Sequence, residues 1–313
     1  MANVLVTGCA GFIGSHVVDR LLERGDRVIG IDSFTDYYSP EQKHANIAQA
    51  VTHPGFTLVA NDIVEMESFP AVDYVFHMAA QPGVRASWGA KFDSYLRNNV
   101  KATQKLLEFY KSNSLKKFVY SSSSSVYGDA QLPMTEGSLT KPVSPYGVTK
   151  LAAEHLCYLY WKNFSVPTVS LRYFTVYGPR QRPDMAIHKF FTAVLTHKVI
   201  TIYGDGTQTR DFTFISDVVD ALVLAAETER FGEVFNVGGG SQITVSELVE
   251  KIERIAGQKA KVDYVNKQKG DVKDTRADIS KAWNMLGWRP RWHIEKGLEE
   301  YLRWYCEGQD VHR

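Results

Sequence analysis

Cysteine is scarce in this 313-residue chain. Cys9, Cys157 and Cys306 are three in number and far apart. That leaves no disulfide framework and no zinc-ligand spacing, and no metal is expected. Excess charge is missing too: 36 Lys and Arg nearly cancel 35 Asp and Glu, for a net charge of +1. Such a balance carries no electrostatic footprint for nucleic acid or for an anionic membrane surface. No uncharged apolar run is long enough to span a membrane. The opening "MANVLVTG" lacks the charged stretch and long apolar core of a secretory signal. These absences predict a soluble cytoplasmic protein, long enough for one large α/β domain or two smaller ones.

What the chain does hold is alternation. "NVLVT" (3–7), "RVIGID" (27–32), "FTLVA" (56–60), "DYVFHMA" (73–79), "KFVYS" (117–121) and "PTVSLRYF" (167–174) read as strands. Most are nearly continuous apolar runs, as parallel strands covered on both faces require. Helical patterns lie between them at roughly 12–24, 40–50, 88–113 and 144–164. The fold class is therefore α/β, a Rossmann-type doubly wound parallel sheet that places its ligand edge at the strand C-termini. After about residue 176 the regularity weakens. "YGPRQRPDMA" and "YGDGTQTRDF" look like arginine-dense loops, and helical patterns return near 185–197, 216–228, 244–256 and 294–305. The expected division is a nucleotide-binding domain over 1–176 plus about 211–240. A smaller C-terminal α/β substrate domain takes about 177–210 and 241–313.

"VLVTGCAGFIGSHVVDRLL" joins the first strand to the first helix, and Gly8, Gly11 and Gly14 fit G-x-x-G-x-x-G. Glycines there permit a tight turn and aim the helix start, Phe12-Ile13, at a pyrophosphate. Asp32 ends the second strand, 24 residues past Gly8. A carboxylate at that distance suits a ribose 2′-hydroxyl and repels a 2′-phosphate, favouring NAD over NADP; the other reading is an ordinary strand-end acid. "SPYGVTK" then sets Tyr146 and Lys150 four residues apart, on one face of a helix begun by Ser144-Pro145. A tyrosine of pKa about 10 becomes a base near neutrality only if its phenolate is stabilised. A lysine ammonium one turn away, helped by a positive nicotinamide ring, is expected to lower it. Finally, "KKFVYSSSSSVYGDA" (116–130) stacks five serines where an apolar strand stops.

In this order, the glycine loop, the serines before Val126-Tyr127-Gly128 and Tyr146-x-x-x-Lys150 resemble the extended short-chain dehydrogenase/reductase family, which includes nucleotide-sugar epimerases and dehydratases. The likeness runs from Asn3 to about Tyr305 and includes "YGDGTQTRDFTFISDV" and "ADISKAWNMLGWRP". It implies a tightly held NAD, catalytic Tyr146 and Lys150 with Ser123 as the assisting hydroxyl, and a UDP-sugar clamped by the C-terminal domain. Relatives that eliminate water or CO₂ carry a glutamate immediately before V-Y-G. Ser124 and Ser125 stand before it here, so those reactions are disfavoured and 4-epimerisation through a 4-keto sugar remains.

"DSFTDYYSPEQKHANI", "AAQPGVRASW" and "RYFTVYGPRQRPDMA" are most similar to UDP-glucuronate 4-epimerases, which make UDP-galacturonate. Pro82 and Arg180-Gln181 depart from that pattern. UDP-glucose or UDP-N-acetylglucosamine 4-epimerisation is the alternative, and a silent NAD-binding scaffold or sensor is the non-enzymatic one. The resemblance implies that Asp62 and Ile63 meet adenine, and that Ala79, Ala80, Asn99 and Tyr173 also border the cofactor. It places Thr175, Arg210 and Asp271 on the uridine diphosphate. Arg85 and Arg182 are candidates for the sugar carboxylate, for the diphosphate, or for neither, and Ser123–Ser125 offer it neutral donors. Helices near 92–111 and 146–164 are apolar on more than one face: one side should pack on the sheet, and the other either packs within the core or, as the resemblance implies, forms a two-fold helix bundle in a homodimer.

Overall fold

The computed structural model describes residues 1–310. Its larger sheet is built from β1 (Asn3–Thr7), β2 (Arg27–Asp32), β3 (Phe56–Ala60), β4 (Tyr74–His77), β5 (Lys117–Ser123), β6 (Thr168–Tyr173) and β10 (Glu233–Val237), in the order β10-β6-β5-β4-β1-β2-β3. Every neighbouring pair is parallel. Residues Val4 to Thr7 of β1 are fully buried, which is why the run is apolar on both alternations. The strand order reverses between β1 and β4, so the glycine loop after β1 opens at the switch point where such sheets bind ligands.

Helices α1 (Phe12–Glu23), α2 (Pro40–Val51), α4 (Ala102–Tyr110), α5 (Pro145–Phe164) and α7 (Ile215–Glu227) flank this sheet. The single helix expected over 88–113 is instead broken. Short 3₁₀ turns lead into α3 (Phe92–Tyr95), then a π-helical turn over Leu96–Lys101, then α4. The extra residue in that turn splits two successive asparagines between different tasks, and π-turns recur where a helix serves a site. Asn99 turns inward and bonds both backbone groups of Gln81, at 2.6 and 3.1 Å, and the Thr149 hydroxyl at 3.0 Å.

The strand expected over 167–174 ends by changing sheets. One residue, Phe174, separates β6 from β7 (Thr175–Tyr177), which pairs parallel with β9 (Thr209–Phe214). β11 (Gln242–Thr244) completes that sheet on the antiparallel side of β9. "TQTRDF", read from sequence as loop, is therefore largely strand. The C-terminal layer also holds α6 (Ala186–Leu195), β8 (Val199–Tyr203), α8 (Val245–Ala256), β12 (Lys261–Val265), α9 (Ser280–Leu286) and α10 (Ile294–Asp310). β8 and β12 form a two-stranded parallel pair with no sequence signal of its own, because its partners lie about 60 residues apart. One apolar cluster runs from Val4 and Val6 through Phe214 to Leu248, Trp288 and Tyr301. The C-terminal layer thus shares the main core, and Trp288 stitches it down by donating its indole N–H to the Asp217 carbonyl at 2.8 Å. Among the described residues, no helix is long and apolar enough to cross a membrane.

Candidate active site

A cleft opens along the C-terminal edge of the larger sheet. Its floor is the glycine loop. Gly8 has φ +69°, and a Cβ there would lie 2.8 Å from the Ala79 nitrogen; a Cβ on Gly14 would lie 2.1 Å from the Gly8 oxygen. Only glycine lets the end of β4 and the first turn of α1 approach the Gly8 backbone this closely. Gly11 caps α1 without a side chain, so the first helical N–H groups face the cleft unclaimed. That bare cradle is what a pyrophosphate requires. Asp32 stands at the edge with one oxygen accepting from Ala10 N–H at 3.1 Å and the other from Phe34 N–H at 2.9 Å. It braces the glycine loop and presents its charge to the cleft. Gly8, Gly11, Phe12, Ile13, Gly14, Asp32, Asp62, Ile63, Ala79 and Ala80 all line one continuous wall. The residues present fit NAD.

Tyr146, Lys150, Tyr173 and Arg182 line the same cleft. Ser144 caps α5 by accepting from Gly147 N–H at 3.1 Å, and Pro145 fills the first helical position, which sets Tyr146 at the helix start. Burial pushes the Tyr146 phenol above its ordinary value, while the Ser123 hydroxyl and the Arg182 guanidinium pull it back. Within the protein alone, burial outweighs both. Burial also pushes Lys150 down to about 7. Arg182 is held by Asp184 at 2.9 Å, and Tyr37 donates to the same carboxylate at 3.2 Å. Tyr37 thereby reaches from the loop after β2 to the loop before α6.

The serines divide differently from their sequence reading. β5 continues through Ser123 rather than ending at Tyr120 or Ser121. Ser121 and Ser122 line the cleft. Ser121 Oγ lies 2.9 Å from the Met78 sulfur and 3.1 Å from the Tyr173 hydroxyl. Ser122 donates to Glu154 at 2.6 Å. Ser123 opens a 3₁₀ turn over Ser124–Val126 and accepts from Ser125 N–H at 3.2 Å.

Other expected contacts lie elsewhere. Asn98, not Asn99, lines the cleft; Asn99 holds Gln81 from behind. Arg85 and Asp271 are bonded to each other at 2.7 Å. Arg210 donates to the carbonyls of Thr209, Val272 and Lys273 at 2.7 to 2.9 Å. Thr175 starts β7, and none of Arg85, Thr175, Arg210 and Asp271 lines the cleft wall. Sequence reasoning missed Tyr37, Tyr38, Lys43, Met78 and Gln81, which do. The aromatic pair in the polar stretch "DSFTDYYS" was the available signal for the first two. Among the described residues, no group of three His, Cys, Asp or Glu could hold a metal ion.

Residues 4–238 match the model of the NAD dependent epimerase/dehydratase family. An uncharacterized UDP-glucose epimerase of Bacillus subtilis (strain 168) is 43% identical, over 98% of this chain and 100% of its own length. The UDP-glucuronate 4-epimerase of Thermodesulfobacterium geofontis is 39% identical, over 99% of this chain and 98% of its own. The crystal structure of a Bacillus cereus UDP-glucuronic acid 4-epimerase with UDP-glucuronic acid and NAD superposes with a TM-score of 0.94 at 44% identity, covering 97% of this chain and 99% of that one. Match and fold agree over nearly the whole length, and the chain belongs to the NAD dependent epimerase/dehydratase family.

Proposed function

We propose that this protein is an NAD-dependent UDP-sugar 4-epimerase that interconverts UDP-glucuronate and UDP-galacturonate. One observation carries the reading: the cleft that cradles a dinucleotide also holds Tyr146 and Lys150, at the end of a strand whose closing residues are neutral hydroxyls. When bound, NAD supplies reversible oxidation of the sugar carbon and a positive charge. Tyr146 takes the proton of the 4-hydroxyl and later returns it, with Ser123 bridging the two oxygens. Arg182 opposes the burial that raises the Tyr146 pKa, and Lys150, one turn away, would stabilise the phenolate together with the positive ring of a bound nicotinamide. No carboxyl group occupies positions 124 and 125, so no acid stands there to drive elimination.

A 4-keto glucuronate is a β-keto acid and loses CO₂ when its carboxylate bond aligns with the ketone π system. Ser124 and Ser125 restrain that carboxylate with hydrogen bonds while offering no proton to an enolate. Arg210 supports the diphosphate: its guanidinium is fixed by three carbonyls and is charged without a carboxylate bonded to it among the described residues. The test is a panel of UDP-sugars with products resolved by NMR, comparing wild type with the Ser124→Ala, Ser125→Ala double variant. UDP-glucuronate epimerisation should fall more than any UDP-glucose activity, with some UDP-4-keto-pentose released. Wild-type turnover of UDP-glucose or UDP-N-acetylglucosamine alone would overturn the choice of sugar.

The same reading includes a homodimer. Val148 and Leu159, three turns apart on α5, are 48% and 47% exposed, and Leu96 is exposed nearby in sequence to α4. Large apolar side chains in register along a helix suit a second copy of this chain.

A further inference from the structure

Lys150 stands one turn from Tyr146 on α5 and is only 3% exposed. Its ammonium lies over the face of Tyr120, 4.6 Å from the ring centroid. Tyr120 is itself buried on β5, and its hydroxyl has no hydrogen-bond partner among the described residues. The ring, rather than the hydroxyl, is therefore what this position contributes. Buried ammonium groups over aromatic faces are attracted by the ring quadrupole, and more strongly when desolvated.

A second group acts from the helix. Glu154 follows Lys150 by four residues and Tyr146 by eight, so the three share one face of α5. Glu154 is 3% exposed and tightly held. One oxygen accepts from the Ser122 hydroxyl at 2.6 Å and from Arg172 Nε at 3.0 Å; the other accepts from Arg172 Nη2 at 2.5 Å. Arg172 rests in turn on the Tyr127 ring, 4.7 Å from its centroid. Burial lowers the proton affinity of Lys150, and Cys157 and Glu154 oppose it. The Cys157 thiol is itself pushed far up by burial and stays neutral, so Glu154 supplies the charge. The other titratable groups around Lys150 and the Tyr120 ring are His77 of β4, held neutral by burial with a pKa of about 3, and Tyr146 of α5 and Tyr173 of β6, both pushed up by burial. None of them adds charge near neutrality.

We propose that Tyr120 and Glu154 are positioning residues for Lys150: the aromatic face of Tyr120, and a Glu154 carboxylate clamped by Arg172 and Ser122, keep its ammonium charged within the cleft. The consequence for the reaction rests on Tyr146 and Lys150 being the acid/base pair. The seat for the charge does not, and the test separates the two.

The experiment titrates Lys150 directly by NMR in holoenzyme carrying ¹³C-labelled lysine, its signal assigned by loss in Lys150→Met. Tyr120→Phe keeps the ring and should leave the midpoint within ~0.3 pH unit of wild type, whereas Tyr120→Leu should lower it by ~1 unit, a tenfold loss in proton affinity. Pentafluorophenylalanine at position 120 preserves the ring's shape but reverses its quadrupole, and should act like the Leu variant even if the latter fails to fold. Glu154→Gln should lower the midpoint as well. Should it misfold over the stranded Arg172, Glu154→Gln with Arg172→Met removes both charges and should shift the midpoint in the same direction. In parallel, the high-pH limb of kcat/KM for the UDP-sugar should move down by the same amount. A Lys150 midpoint unmoved by the fluorinated ring and by loss of Glu154 overturns the proposal. Shifted midpoints in a protein that turns over no UDP-sugar leave the seat standing and overturn the epimerase reading instead.

Discussion

Arg85 and Asp271 are bonded to one another although 186 residues separate them, with Nη2 at 2.7 Å and Nε at 3.2 Å from the same oxygen. The Arg85 guanidinium also lies over the Tyr203 ring, 4.0 Å from its centroid. The pair fastens the loop after β4 to the segment after β12. That segment supplies Val272 and Lys273, whose carbonyls fix Arg210. The ion pair is too exposed to add much stability, so its effect is on the placement of Arg210. Asp271→Asn should raise KM for the UDP-sugar by roughly 3–10-fold, the scale of about 1 kcal/mol, and leave kcat within about twofold. Steady-state kinetics checks the split, and faster amide exchange over 268–274 checks the cause.

Tyr146→Phe should keep UDP-sugar binding and lose at least ~10²-fold in turnover, the scale of a positioned acid/base group. Lys150→Met should lose turnover and weaken NAD binding together, since the lysine is a cation of the same wall as the glycine loop. Calorimetric titration of both ligands separates the two variants. Near-normal turnover by Tyr146→Phe would remove the tyrosine from the chemistry.

The protein should purify with NAD bound and release NAD, not NADP, when denatured. Asp32 is the reason, and it has a second task in holding the Ala10 and Phe34 N–H groups. Asp32→Ala should therefore lose dinucleotide and lower the melting temperature even with no dinucleotide present. A variant that loses only affinity would show that the brace contributes nothing.

Acid should destabilise the fold well above the carboxylate range. Burial pushes His16 down to about 4, with Arg180 adding to the effect, and His77 down to about 3. Both folded-state values lie below the unfolded 6.5, so the unfolded chain binds more protons and stability falls as pH drops through 6.5. Between pH 6.5 and 5 the two histidines together cost about 3 kcal/mol. Asp211 works the other way. Burial raises it to about 6, which returns about 1 kcal/mol over the same interval. Urea unfolding at both pH values should show a net loss of about 2 kcal/mol. Equal stability would mean that the histidines are not neutral in the fold.

Leu159→Glu places a charge on the exposed apolar face of α5. Sedimentation velocity should show a dimer for wild type and a monomer for the variant, with the fold retained by circular dichroism. A monomeric wild type would remove the second copy from the reading.

Local sequence determined the parts of this protein that depend on residues near one another in the chain. The strand–glycine–helix start around Gly8 to Gly14, the acid at the end of β2, and Tyr146 with Lys150 one turn apart on a helix capped by Ser144 all follow from short-range geometry. So do most strand and helix spans of the larger sheet, because burial on both faces leaves continuous apolar runs. The alternatives were decided by distant partners. Arg85 meets Asp271, Glu154 meets Arg172, and Tyr37 meets Asp184, across 186, 18 and 147 residues. No spacing rule signals such pairs, because each is set by how the layers stack. The π-helical turn that sends Asn98 to the cleft and Asn99 behind it exists because Asn99 can bond Gln81 on a separate loop. The pKa directions of Tyr146 and Lys150 were likewise beyond the sequence. They turn on burial, and burial is a property of the packed molecule that a four-residue spacing does not contain.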